Sequence, residues 1–334
     1  MGILLTVVLL WWVLHDVSLG DVWHEITAAN LGWLLAAVTA ATLTFPLRAI
    51  RWRYLLRSEG AVLPFGALWH ATAIGFMANN LLPARAGEVV RAYAVRSIAD
   101  VRFTTALASI AVERVFDGLF LVGLLMVGFA AGGFTTAATV EGMSLTRIAW
   151  GGVLLFGSAF VVALAVVLMP APTRRLAHGI FQSLLPERWA ARGLALVDGL
   201  LDGLSALRSP KRLAPVLFWS LVLWLTNAGS FALAFLAFGL SLPWGAALVL
   251  QGILAFGVAI PSAPGFFGVF EGATRAALVL YGVSATAAVS LAIGYHIASF
   301  LPITLLGLWS LWSANLRLKD LRTAETTEHT GSTG

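Results

Sequence analysis

The chain has 334 residues, 59% of them hydrophobic and 11% charged, with a formal net charge of +5 and a mean hydropathy of +0.89. That is the composition of an integral membrane protein and excludes a soluble globular chain. There is no cysteine, there are two lysines (Lys211 and Lys319), and no GxxxxGK[ST] loop occurs, which excludes disulfides, cysteine nucleophiles and Cys-ligated zinc and argues against ATP-driven chemistry within the chain.

The first apolar segment, Met1 to Leu14, has no basic residues before it and reads as a first helix rather than a cleaved signal peptide. Fourteen residues give ~21 Å of helix against a ~30 Å bilayer core, so the helix is expected to run on past His15. An acidic, partly amphipathic piece follows, Asp16 to Asn30. A second helix, about Leu31 to Ile50, ends in Arg48, Arg51, Arg53 and Arg57, and by the positive-inside rule that cluster marks a cytoplasmic end. The amino terminus is then cytoplasmic as well.

From Phe65 to Leu82 the chain is apolar, breaks at Pro83, and returns through Arg91, Arg96 and Arg102. Basic residues at both ends predict a hairpin that enters and leaves on one side; two tightly packed full crossings would satisfy the same charges. A helix from Phe103 to Ala131 runs outward, a short loop holds Glu141 and Arg147, and Ile148 to Met169 returns. The stretch Pro170 to Arg212 is a basic cytoplasmic connection in which Leu194, Val197, Leu201, Leu204 and Leu207 recur at helical spacing, the pattern of a helix lying on the membrane surface. Leu213 to Phe238 runs outward. Trp244 to Ile260 and Phe266 to Tyr281 flank a second break, and Val283 to Trp312 returns to Arg317, Lys319 and Arg322. The polar tail 323–334 has too little apolar surface to pack and is expected to be disordered.

The predicted fold is therefore an all-α polytopic membrane protein with about six full transmembrane helices and two re-entrant helical hairpins. Residues 1–131 and 132–322 have the same order of elements in opposite orientation, which is an inverted-topology repeat with the connection 170–212 inside the second half. The two breaks carry matching residues: Pro83, Gly87 and Glu88 in the first, Pro261, Pro264, Gly265, Gly268 and Glu271 in the second. Backbone breaks and a carboxylate at membrane depth are tolerated where they line a cavity, and paired interrupted segments point to a transporter's site.

Glu113, Arg114 and Asp117 lie about ten residues into the Phe103–Ala131 helix, ~15 Å deep, where unpaired charges cost a few kcal/mol each. They read either as a structural ion network or as groups that handle substrate or protons. Glu88 and Glu271 fall in first helical turns, where a carboxylate complements the helix dipole. Arg85, Arg91 and Arg275 beside them can fork onto phosphate oxygens, aided by half-helix amino termini, or can pair with Glu88 and Glu271. Asn79, Asn80, Asn227 and Gln251 read as interhelical hydrogen-bonding groups. The six histidines show no metal-ligand spacing, and no metal or cofactor is expected.

Asn80-x-x-Pro83-x-Arg85-x-Gly87-Glu88-x-x-Arg91, then Glu113-Arg114-x-x-Asp117, then Pro261-x-x-Pro264-Gly265-x-x-Gly268-x-x-Glu271 resembles the lysylphosphatidylglycerol synthase transmembrane family, also called flippase-like or UPF0104, over roughly residues 1 to 320. The resemblance implies translocation of a lipid or lipid-linked substrate in a prokaryotic cell membrane. Phe266 stands where many members have a second glycine, and His296 where an arginine is common. A histidine can be neutral, which makes anion binding there weaker or pH-dependent. No soluble aminoacyltransferase domain follows, so the chain is not expected to be an enzyme.

The expectation is a transporter of an anionic lipid or polyprenyl-phosphate-linked lipid; the alternative is a lipid-binding accessory subunit that presents substrate to a membrane or cytoplasmic enzyme. Nucleic acid is not an expected partner. The expected substrate-binding residues are Asn80, Arg85, Glu88, Arg91, Glu113, Arg114, Asp117, Glu271, Arg275 and His296.

Overall fold

The computed structural model describes residues 2–56, 63–82, 86–99, 101–132, 139–140, 143–144, 169–206, 210–259 and 263–316, with isolated positions between 151 and 165. Pro83, Arg85, Pro261, most of the segment 148–169 and the tail 323–334 lie outside the described residues.

The first helix, α1 (Gly2–Leu14), stops at Leu14 instead of running on. Its terminal carbonyls have another partner: Nη1 of Arg275 donates to the oxygens of Trp12 and Val13, and Ser18 immediately caps α2 (Leu19–Ala28). α3 (Leu31–Leu55) is capped by Asn30, whose side chain accepts from Trp33 N–H, and continues a turn beyond the expected end at Ile50. α4 (Phe65–Leu81) and α5 (Gly87–Ala99) flank the first break, and α6 (Phe103–Ala131) has the ends read from the sequence. A two-residue antiparallel ladder pairs Thr139–Val140 with Met143–Ser144. α7 (Pro170–Leu184) and α8 (Glu187–Ala206) form a hairpin before α9 (Pro210–Ala237). α10 (Trp244–Ala259) and α11 (Val269–Val279) flank the second break, and α12 (Ala285–Ser313), capped by Ser284, closes the bundle.

The helices Leu31–Leu55, Leu213–Ala237 and Ala285–Ser313 are long and apolar enough to cross a membrane. α6 is as long, at 29 residues, but carries three charges in its middle.

The packing has a regular pattern. α3 packs along α9; α4 packs on α12, and α10 on α6. Within the hairpins α4 lies on α5 and α10 on α11, while α5 touches α6 and α11 touches α12. Exchanging α3–α6 for α9–α12 in order leaves this set of neighbours unchanged.

Two apolar cores result. The first gathers Trp52, Leu68, Ile74, Met77, Val95, Ile110 and Phe116 around α4 and α5. The second gathers Leu125, Phe231, Phe235, Leu250, Leu278 and Leu291 around α10 and α11. Close helix contacts secure each: a Cβ at Gly307 of α12 would meet Met77 and the Ala73 carbonyl of α4, and one at Gly128 of α6 would meet the Gly245 carbonyl of α10 at 2.9 Å.

Two expectations need correction. Arg48 and Arg51 do not lie at the end of their helix or at the protein surface: Arg51 is fully buried and Arg48 is 7% exposed, because α3 runs on past them and α6 supplies counter-charges. Of the described arginines in that cluster Arg53 is at the surface. Likewise, the apolar face of α8 is turned into the protein: Leu201 and Val197 pack on the first core, and Leu194 is buried. The exposed apolar stripe of the hairpin is on α7, at Leu176, Ile180 and Leu184.

Candidate functional site

Between the two cores lies a layer of buried charge. Oε1 of Glu113 is fully buried and sits within ion-pair distance of four guanidinium groups: Arg114 at 2.6 Å, Arg91 at 2.9 Å, Arg51 at 3.2 Å and Arg48 at 3.9 Å. One turn along, Asp117 is held by Arg51 at 2.6 Å, Arg114 at 2.9 Å and Arg48 at 3.5 Å. Trp224 Nε1 of α9 donates to Asp117 at 3.1 Å, and Arg51 donates to Ser220 of α9 at 3.1 Å. Helices α3, α5, α6 and α9 thus converge on two carboxylates, and the network joins the two packing units.

The arginines differ in their second contacts. Arg51 has no solvent exposure and is pinned on Asp117 and Ser220. Arg91 lies on the Trp52 ring at 3.8 Å, and Trp52 is itself fixed by its Nε1 donating to Ser109. Arg48 lies between Phe76 at 5.1 Å and Trp224 at 4.9 Å, a cation–π clamp that holds the guanidinium plane.

Against this layer opens a cavity of about 210 Å³. Arg48, Arg91, Arg114, Glu88 and Asp117 supply its charged lining, Asn79 and Asn80 its amides, and Ala255, Val258 and Phe266 its wall from the second hairpin. The cavity therefore lies where the two breaks approach each other. Of the residues expected from the sequence, Asn80, Glu88, Arg91, Arg114 and Asp117 line it, and Glu113 lies behind it. Asn80 also donates to Thr304 Oγ1 of α12 at 3.0 Å, joining α4 to α12.

One backbone amide beside each break is already engaged by a side chain. Gly87 N–H donates to Asn79 Oδ1 at 2.8 Å, and Gly268 N–H to Glu271 Oε2 at 2.6 Å. Those amides are not open to an anion. Glycine is required at residue 87 because an added Cβ would run into the Gly75 carbonyl and Asn79. At the second break, Gly265 (φ 72°), Phe266 (φ 60°) and Gly268 (φ 83°) all take left-handed backbone. Phe266 thus keeps the turn that a glycine would make, at a steric cost of about 1–2 kcal/mol.

Glu271, His296 and Arg275 lie elsewhere. Glu271 Oε1 is 2.7 Å from His296 Nδ1, both residues are buried, and the imidazole lies against Phe267 and Phe270. This pair joins α11 to α12 as Arg91–Glu113 joins α5 to α6. Arg275 does not turn to Glu271; it forks onto Asp16 and stacks on Trp12. The hydrogen bond from Arg275 holds the Asp16 carboxyl below its ordinary value.

Sequence reasoning missed Arg48, Arg51 and Trp224. The available signal was the need for counter-charges: two buried carboxylates in α6 require more guanidinium than Arg114 alone supplies. Among the described residues no group of His, Asp and Glu is arranged to hold a metal ion.

This is an α-helical membrane protein built around a buried ionic layer. The family model for the lysylphosphatidylglycerol synthase TM region matches residues 1–307, and the chain belongs to that family. It is 29% identical over 345 residues to a protein named glycosyltransferase AglD from Haloferax volcanii, covering 95% of this chain and 54% of that one. The chain thus spans about half the length of that relative. Two UPF0104 membrane proteins of Methanothermobacter thermautotrophicus are also similar, at 23% identity over 307 residues and 26% over 276. These alignments cover 86% and 78% of this chain, and 85% and 77% of the relatives.

Proposed function

We propose that the protein is a flippase-like transporter that moves an anionic lipid or a polyprenyl-phosphate-linked lipid between leaflets of a prokaryotic cell membrane, and that it is not itself an enzyme. The observation that carries this reading is the arginine-lined cavity at the meeting of the two breaks, a polar site around which guanidinium groups outnumber carboxylates among the described residues. The exchange-symmetric packing of α3–α6 and α9–α12 supports two repeats, 1–131 and 132–322, of inverted orientation, with six full crossings and two re-entrant hairpins. In this reading both termini are cytoplasmic.

The function is tested with the purified protein in liposomes. A fluorescent anionic lipid should exchange between leaflets faster than in protein-free vesicles. Tight binding without exchange would overturn the transporter reading in favour of an accessory subunit that presents lipid to an enzyme. That second reading draws on the longer relative, which bears a glycosyltransferase's name although this chain matches only 54% of it.

Topology is tested separately. Because the chain lacks cysteine, single cysteines at Leu82 and Ala263, one beside each break, can be labelled with a small impermeant thiol reagent without background. They are expected to react from opposite faces of the membrane. Labelling of both from one face would refute the inverted repeat.

A further inference from the structure

We propose that the cavity holds a phosphate group, with Arg48 as its anchor and Arg91 and Arg114 as its flanks. This rests on the reading of the cavity as a lipid site and assigns the chemistry and atoms of recognition. The evidence is an accounting of buried donors. Nε of Arg48, Nε and Nη2 of Arg91, and Nε of Arg114 have no hydrogen-bond partner among the described residues, and Nη1 of Arg48 has only long ion pairs, 3.5 Å to Asp117 and 3.9 Å to Glu113; Nε and Nη2 of Arg51, which does not line the cavity, also lack hydrogen bonds there. Arg48 is 7% exposed and Arg91 3%, so both have little access to bulk solvent, while the Arg114 side chain is 36% exposed with its Nε buried. Buried donors left unmade are costly, and all three side chains line one cavity. The guanidinium nitrogens on these three planes match the acceptors of a tetrahedral oxyanion, which has no donors of its own in its ionised form.

Charge points the same way. Around the cavity four guanidinium groups (Arg48, Arg51, Arg91, Arg114) face three carboxylates (Glu88, Glu113, Asp117) among the described residues. The two carboxylates on the lining, Glu88 and Asp117, would repel an anion. Asp117, however, is already shared by Arg51, Arg114 and Trp224. A cation would find the guanidinium groups opposing it.

The split of roles among the arginines is structural. Arg51 is locked away from the cavity and braces Asp117. Arg48 is held in plane by Phe76 and Trp224, with Nη1 in long ion pairs to Asp117 and Glu113 and Nε without a hydrogen bond among the described residues. At about 210 Å³ the space equals roughly seven waters' share of liquid volume and is below the ~300 Å³ of small ligand pockets. It accommodates a phosphate and its adjoining atoms, while acyl or prenyl chains remain in the membrane.

The test is equilibrium binding to protein in nanodiscs, read by native mass spectrometry, for wild type, Arg48→Lys, Arg48→Gln and the surface control Arg53→Gln. The probes are phosphatidylglycerol, diacylglycerol (which lacks phosphate) and inorganic phosphate. Phosphatidylglycerol should bind wild type and Arg53→Gln alike and Arg48→Gln at least about tenfold more weakly. Arg48→Lys should resemble Arg48→Gln, because an ammonium cannot reproduce the planar fork. It also shows whether loss follows from charge or from geometry should Arg48→Gln fold poorly. Equal affinity across Arg48 variants, or equal binding of diacylglycerol, overturns the site. Inorganic phosphate binding as tightly as the lipid overturns a lipid-borne phosphate and assigns a free ion. Binding that behaves as expected in a protein that does not exchange lipid would leave the site standing and remove the transporter reading.

Discussion

Glu113→Gln is expected to destabilise the protein by about 3–5 kcal/mol, the range for removing one partner of a buried ion pair. One fully buried oxygen of Glu113 serves four guanidinium groups, and guanidinium groups outnumber carboxylates around it. Neutralising it leaves a larger unbalanced positive charge between two apolar cores. Arg51→Met removes charge from the side in excess and should cost less, although it also takes a donor from Ser220 and from Asp117 Oδ1, which keeps Trp224. The double variant Glu113→Gln/Arg51→Met should recover part of the loss, since it restores the original charge difference. Thermal unfolding in mild detergent, followed by size-exclusion chromatography, measures all three. A Glu113→Gln protein as stable as wild type, or a double variant that shows no recovery, would contradict this account.

The second large effect is on transport. Glu88→Gln and Glu271→Gln should each abolish lipid exchange in liposomes while the protein still extracts and elutes as wild type. Helix-dipole capping alone is worth about 0.3–1 kcal/mol, too little to stop exchange. Glu271 does more than cap: it binds Gly268 N–H with one oxygen and His296 with the other, so its charge fixes the second break against α12. Glu88 lines the cavity from the first break. Near-normal exchange in both variants would return them to a purely structural role.

The helices were legible in the sequence where apolar length and charge agree. The segment from Phe103 to Ala131 has its observed ends because Arg102 and Gly132 bound an apolar run. The breaks were legible because proline and glycine interrupt such runs. The ionic layer was half legible. Glu113 and Asp117 stand out as carboxylates at depth, but Arg48 and Arg51 sit beside Arg53 and Arg57 and imitate an orientation signal. Sequence spacing gives no measure of how far α3 continues into the protein, and the pairing of α3 with α6 crosses more than sixty residues of chain. Arg275 shows the same limit. Its near neighbour Glu271 is four residues away, yet its carboxylate partner, Asp16, lies 259 residues away in sequence.

The distribution of the ionic layer over four helices bears on biogenesis. α6 has three charges near its centre, each costing roughly 2.5–3.5 kcal/mol for a helix entering lipid by itself. Its counter-charges on α3 and α5 are synthesised earlier, and Trp224 of α9, which donates to Asp117, about a hundred residues later. Isolated α6 should therefore be a poor substrate for the translocon. Residence in the bilayer should improve when α3 precedes it and be complete once α9 has been made. Glycosylation mapping of nascent chains truncated after Ala131 and after Ala237 would follow this directly. Equal insertion of α6 with and without α3 and α5 would show that the lipid tolerates these charges unaided.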